Sequence, residues 1–213
     1  MGNQVYTIGR ELGSCGYTVA KLLSERLGIK LYDKELLAQA AKDSGFCQEI
    51  FEKQDEKPTN SFLYSLVMDT YSGGNYSSAP FLDMPLNHKV FLAQFDSIKK
   101  IAERESCVIV GRCADYALAS RTDVLNVFIH AEIDDRVKRI SKRENVTEHK
   151  AKDLIQKSDK QRSSYYNYYT CKKWGDSRSY DLSLNTSKIS PEQCVDMILS
   201  FREKMQDNKQ KNK

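Results

Sequence analysis

Between Val5 and Thr18 the chain reads VYTIGRELGSCGYT, and the chemistry open to such a segment is the holding of phosphate. Gly9, Gly13 and Gly16 lie between a β-branched and aromatic run and an amphipathic pattern at Val19, Leu22, Leu23 and Leu27. Glycines let consecutive backbone N–H groups point inward, and a helix start contributes about half a positive charge, so main chain alone can hold much of a polyphosphate. The full motif, G-x-x-x-x-G-K-[ST], also requires a lysine, which this segment lacks.

Charged residues recur where a phosphate ligand would need them. Gly111-Arg112 follows the apolar run Cys107-Val108-Ile109-Val110, and an arginine at the carboxyl end of a central strand is well placed to bind an anion. Asp33 ends a second run, Ile29 to Tyr32, and ligands of open α/β sheets sit beyond strand carboxyl ends. Basic residues crowd between Arg136 and Arg178, where a phosphate-binding segment is expected. Plainer readings stand beside these. Asp33 is a good helix N-cap. The stretch from Arg136 to Arg143 reads in large part as the solvated face of a helix. Asp159 and Arg162 lie three apart, where a surface pair stabilises a helix by only about 0.2–0.5 kcal/mol. Tyr165, Tyr166, Tyr168 and Tyr169 read as packing.

The elements that must position these residues follow from periodicity and punctuation. A helix is expected from about Gly16 to Arg26, stopped at Gly28, and another from Lys34 to Lys42 after the Ile29–Tyr32 strand. Residues 43–87 are irregular, with polar and Ser/Gly/Tyr-rich loops around one short helix near Phe62 to Val67, and read as an insertion closing over a ligand. Helical spacing resumes from Leu86 to Glu105, and Cys107 to Val110 is continuous enough for a strand buried on both faces. A strand at Val124–Ile129 and helices at Asp134–Glu144 and Thr147–Tyr169 come next. The last strand, Leu182–Leu184, is followed by a helix opened by Ser190-Pro191-Glu192-Gln193. Met205 to Lys213 reads as a frayed polar tail. Five strands, each feeding helical sequence, predict a doubly wound five-stranded parallel sheet in one α/β domain over residues 1–213.

Composition bounds the function. The 213 residues can bury a sizeable core, and the mean hydropathy of −0.60 comes with no apolar run long enough to span a membrane. With a polar Met1–Gln4, a cytoplasmic location is expected. The six cysteines show no C-x-x-C pairing and read as reduced thiols. The net charge of +4 is too mild for a nucleic-acid binder, and acids such as Glu144, Glu148 and Asp153 interrupt the basic stretch.

Taken together, Gly9 to Gly16, Leu31-Tyr32-Asp33, Val110-Gly111-Arg112, Asp159-Lys160-Gln161-Arg162, Tyr180-Asp181-Leu182 and Asn185-Thr186 resemble the nucleoside monophosphate kinases, and more closely the cytidylate kinase-like family. The resemblance implies a P-loop NTPase fold of the nucleoside monophosphate kinase type, with residues 43–87 as the substrate-binding insertion and residues 136–178 as a basic helical lid. It implies transfer of the γ-phosphate of ATP, with Mg²⁺, to a small-molecule nucleotide, and no membrane or nucleic-acid partner. On this resemblance Gly13, Ser14, Cys15 and Gly16 cradle the donor phosphates, with Tyr17 beside them, and Thr18 approaches the metal. Asp33 and Arg112 contact the acceptor. Arg139, Arg143 and Arg162 close on the migrating phosphoryl group, with Asp159 orienting an arginine or the acceptor.

The departures are also specific. Aligned without gaps, the P-loop lysine falls on Gly16 and the following hydroxyl on Tyr17; with Gly16 as the final loop glycine, they fall on Tyr17 and Thr18. Arg10 could then supply the missing charge from the other side of the loop. Cys113 stands where cytidylate kinases tend to carry an acid. A nucleotide-binding module without catalysis is the alternative reading, carried by the absent lysine.

Overall fold

The structure, a computed structural model, describes residues 3–33, 35–36, 38–39, 43 and 86–211. In chain order the elements are β1 (Val5–Arg10), α1 (Gly16–Leu27), β2 (Lys30–Tyr32), α2 (Leu86–Arg104), β3 (Cys107–Val110), α3 (Ala114–Ala117), β4 (Val124–His130), α4 (Ile133–Glu144), α5 (Glu148–Thr170), β5 (Leu182–Asn185) and α6 (Pro191–Lys211). The expected insertion at 43–87, with its short helix near Phe62, lies almost wholly outside the described residues.

The five strands form one parallel sheet in the order β2-β3-β1-β4-β5, so β1 is central. Side chains alternate along each strand, and both faces are covered. Tyr6 and Ile8 of β1, with Val108 and Val110 of β3, pack beneath α1 and α6 among Val19, Leu23, Val195 and Ile198. Val5, Cys107 and Ile109 face the opposite way, toward Ile98 and Ile101 of α2. Coverage on both sides is why β3 reads as an unbroken apolar run. Burial pushes the Cys107 thiol up to about 12, which leaves it an inert core residue.

The carboxyl ends of the strands are staggered. Ile8 pairs with both Val110 and Val127, but Gly9 and Arg10 pair only with Phe128 and Ile129 of β4. The central strand therefore runs on past the end of β3, and the loop after it starts higher than the one after β3.

Caps match the punctuation. Gly28 ends α1 at φ 64°, its N–H donating to the carbonyls of Glu25 and Ser24. At α6 the Ser190 N–H donates to Gln193 Oε1 at 2.9 Å while the Gln193 N–H donates to Ser190 Oγ at 3.2 Å, a reciprocal capping box. Met205 to Lys211, expected to belong to a frayed tail, is helical, because α6 continues to Lys211. Met, Gln, Lys and Asn in that stretch carry no Gly or Pro to stop a helix. Among the described residues no helix is long and apolar enough to cross a membrane.

At the other end of the sheet Glu105 accepts from the Tyr32 hydroxyl at 2.7 Å and pairs with Arg104 at 2.7 Å and Lys30 at 3.1 Å. These partners, the Tyr32 bond first, hold its carboxyl down at about 2 from an ordinary 4.5. A depressed folded-state value stabilises above the unfolded one, and the contribution is lost as pH falls through the folded one. Glu105→Gln should therefore flatten the decline of melting temperature between pH 4.5 and pH 2. Parallel curves for variant and wild type would show that the carboxylate contributes nothing.

Candidate functional site

The loop after β1 is shaped by close approach on both sides. Gly13 has φ +80°, and a Cβ there would lie 3.0 Å from the Arg136 carbonyl oxygen and 3.1 Å from Ile140 Cγ1, so α4 can rest on the loop only over glycine. Cys15 precedes α1 in the left-handed region at φ 58° and makes no side-chain cap. The first-turn N–H groups of α1, from Gly16 to Thr18, have no intrahelical acceptor. Ser14 is fully buried, its hydroxyl donating to the Glu11 carbonyl at 2.9 Å and its own carbonyl accepting from Thr186 Oγ1 at 2.8 Å. Ser14 thus braces the loop from within.

A cleft of about 480 Å³ opens at this point, lined by Arg10, Gly13, Cys15, Gly16, Tyr17, Thr18, Asp33, Arg139, Arg143 and Arg162. Residues from β1, α1, the end of β2, α4 and α5 converge there. Ser14, Arg112 and Asp159 do not line it.

The arginines differ in how they are held. Arg139 is anchored, donating to the Gly13 carbonyl at 3.1 Å and to the Thr186 hydroxyl and carbonyl at 3.1 and 2.8 Å. Arg162 donates to the Arg10 carbonyl at 3.2 Å. Arg143 pairs with the adjacent Glu144 at 2.8 Å, with its side chain 59% exposed.

Arg136 is not on a solvated face as its neighbours suggested; it is buried. Its Nε donates to the Leu12 carbonyl at 2.8 Å, its Nη1 meets Glu11 at 3.1 Å, and its Nη2 pairs with Asp159. Asp159 also accepts the Leu12 N–H at 2.9 Å, and Glu11 accepts the Ala131 N–H at 3.2 Å. α4 lies directly on the loop at Gly13, and that packing brings Arg136 into reach of loop carbonyls and two carboxylates. Asp159 is accordingly a partner of Arg136 and the loop rather than of the nearby Arg162. Glu11, Arg136 and Thr186 bind the loop in ways the sequence did not indicate, although Arg136 stood in the basic stretch and Thr186 in a motif that carries the resemblance.

Arg112 is 8% exposed and stands 3.8 Å from Asp33, so the two residues expected to share a ligand are neighbours. Gly111, Arg112 and Cys113 all have positive φ, at 75°, 59° and 54°, which turns the chain sharply at the end of β3 and carries Arg112 inward. Arg112 and Arg162 line a second, narrower chamber with Asp115, Tyr166 and Tyr180. Burial raises the Asp115 carboxyl, and the Tyr166 hydroxyl donates to it at 2.6 Å. The tyrosines of α5 are mainly packing, as expected: Tyr169 stacks on Phe91 with ring centroids 3.9 Å apart, and Tyr165 and Tyr166 are buried with it.

These features fit a polyphosphate with a divalent metal. The loop offers unpaired helix-start amides, glycines where close approach demands them, and several guanidinium groups on one cleft. Thr18 supplies a hydroxyl in that cleft. Among the described residues no group of three His, Cys, Asp or Glu could hold a metal without such a ligand.

Comparison with known proteins agrees with the sheet and the loop. Residues 5–188 match the model of the cytidylate kinase-like family. A cytidylate kinase of Pyrococcus horikoshii is 28% identical over 190 residues, 88% of this chain and 82% of that protein. One of Methanopyrus kandleri is 24% identical over 203 residues, 91% of this chain and 90% of the relative. A solved structure of an uncharacterised protein from Eubacterium ventriosum, 32% identical, superposes with a TM-score of 0.71 over 94% of this chain and 99% of that one. Matched by the family model over residues 5–188, with a glycine-loop cleft at the carboxyl edge of its five-stranded parallel sheet, the chain belongs to the cytidylate kinase-like family.

Proposed function

We propose that this protein transfers a phosphoryl group from ATP to the phosphate of a nucleoside monophosphate. The observation that carries the reading is the single cleft on which the glycine loop, the start of α1, Asp33 and four arginines meet. When bound, ATP with Mg²⁺ supplies the phosphoryl group and part of the neutralising charge.

In this reading the amides of Gly13, Cys15, Gly16 and Tyr17 hold the donor phosphates, braced by Ser14, and the Thr18 hydroxyl faces the metal. Arg139 keeps the loop rigid from α4 while presenting charge to its mouth. Arg143 and Arg162, on the two helices of the α4–α5 hairpin, neutralise the migrating group as charge spreads over its oxygens. Asp159, through Arg136, orients the loop. Arg112 binds the acceptor phosphate, and Asp33 aligns that guanidinium and the acceptor. No group in the cleft need act as a strong base, because phosphoryl transfer depends chiefly on position and charge. Residues 136–178 serve as the lid and residues 43–87 as the acceptor's cover.

Purified protein with ATP, Mg²⁺ and a panel of monophosphates should form ADP with at least one acceptor. ATP binding without turnover on any of them would favour the alternative, a nucleotide-binding module without catalysis, which the absence of lysine at positions 16 and 17 supports. Arg112→Ala is expected to raise the acceptor's KM by about 10- to 100-fold, the loss of one charge-assisted contact. The KM of ATP should stay near its wild-type value, and an effect confined to ATP would move the acceptor site elsewhere.

A further inference from the structure

We infer that the phosphate-binding cation of this loop has changed places with a glycine across the loop, so that Arg10 fills in space the role of the missing lysine. The inference rests on the phosphotransferase reading above and adds to it the reason why the loop cannot carry a lysine at 16 beside Arg10. In G-x-x-x-x-G-K-[ST] the first position is glycine and the seventh is lysine. Counted in the register without gaps, this chain has Arg10 at the first position and Gly16 at the seventh. Both ends of the motif are inverted together.

The geometry makes the inversion a matter of exclusion. A Cβ placed on Gly16 would lie 2.4 Å from Arg10 Cβ and 3.1 Å from Arg10 Cγ, with Ile129 Cβ at 3.3 Å. Two carbon atoms not bonded to each other do not approach that closely, and the nearest obstacle is the root of the side chain rather than its flexible end. Positions 10 and 16 can therefore carry one side chain between them. The usual motif gives it to the seventh position; this chain gives it to the first.

What the exchange preserves is the charge at the loop. The Arg10 stem leaves from beside the α carbon where a lysine would begin, and both residues line the same cleft. What it changes is the ligand geometry. A guanidinium presents a planar fork that can meet two phosphate oxygens, whereas an ammonium is a point charge. The base of the fork is fixed on two sides: Arg10 pairs with Ile129 in the sheet, and its carbonyl accepts from Arg162 of α5 at 3.2 Å. The register that places the lysine at 16 leaves Tyr17 at the motif's hydroxyl position, with Thr18 one residue beyond.

A double-mutant cycle tests the exchange with two readouts that need no turnover. By calorimetry Arg10→Ala should bind ATP at least ~10-fold more weakly than wild type, the scale of one charge-assisted hydrogen bond. G16K alone should melt well below wild type, because the two stems collide. R10G/G16K should melt above G16K and bind ATP more tightly than Arg10→Ala, since it restores the usual assignment of glycine and cation. Undiminished ATP affinity in Arg10→Ala would overturn the inference, as would a double variant no better than G16K in melting temperature. If instead the cycle behaves as expected but wild type transfers phosphate to no monophosphate, the exchange stands and the phosphotransferase reading fails.

Discussion

Arg136→Ala is expected to lower the unfolding free energy by about 3–5 kcal/mol, the range for removing one partner from a buried charge cluster. The side chain of Arg136 is 7% exposed and those of Asp159 and Glu11 are 18% and 23%, so the two carboxylates left behind would be poorly solvated. The Leu12 carbonyl would lose its donor as well. In a chain of this length a loss of that size corresponds to a fall in melting temperature of roughly 10 °C. The damage should concentrate at the phosphate loop, because both the N–H and the C=O of Leu12 are held by this cluster. Arg136→Lys should recover only a minority of the loss, since an ammonium cannot reach a carbonyl and two carboxylates at once. Urea unfolding of the two variants measures this directly, and a loss below about 1 kcal/mol, the worth of a surface pair, would mean that the cluster is solvated in solution.

The second large effect is on rate. Arg162→Ala is expected to reduce kcat by at least ~10²-fold, the scale on which removing a single stabiliser of transition-state charge acts. Arg162 lines both the cleft and the narrower chamber beside Arg112, and it donates to the Arg10 carbonyl. In the proposed function it is therefore the side chain between the donor and acceptor ends. The KM values of both substrates should change much less than kcat, because charge on the migrating group grows only during transfer. Arg162→Lys should not restore the rate, since it loses the planar fork. Steady-state kinetics with kcat unchanged would remove Arg162 from the reaction and leave it as a strut for the loop.

The architecture was legible because its signals are local. The apolar run at Cys107–Val110, the glycine ending α1, and the serine and glutamine of the α6 capping box each act within a few residues of where they are read. The place of Asp33 at the cleft was legible because strand carboxyl ends lie on one edge of a parallel sheet, whereas Arg139, Arg143 and Arg162 were expected there only through the family resemblance. What each arginine does there was not. Arg136 stands among Asp134, Asp135, Lys138 and Lys142, and nothing in that neighbourhood distinguishes a buried cation from an exposed one. Its partners, Glu11 and Leu12, lie more than a hundred residues away in sequence, and only the seating of α4 on Gly13 brings them together. The turn at Arg112 was equally hidden, because non-glycine residues with positive φ leave no compositional mark. Asp115 looks from the sequence like an ordinary first-turn acid; the aromatic wall that buries it comes from α5 and the loop before β5.

Helix α5 is supported at two places and loaded between them. Ala151 and Ile155 seat its first half against Val137 and Ile140 of α4, and Tyr165, Tyr166 and Tyr169 seat its second half against Phe91 and Leu92 of α2. Asp159 and Arg162, which hold Leu12 in the loop and Arg10 at the end of β1, fall in the span between these bearings. A helix held at both ends resists being lifted at the middle, where it meets the loop. The loop after β1 and helix α2 are thus joined through one continuous helix, which touches both.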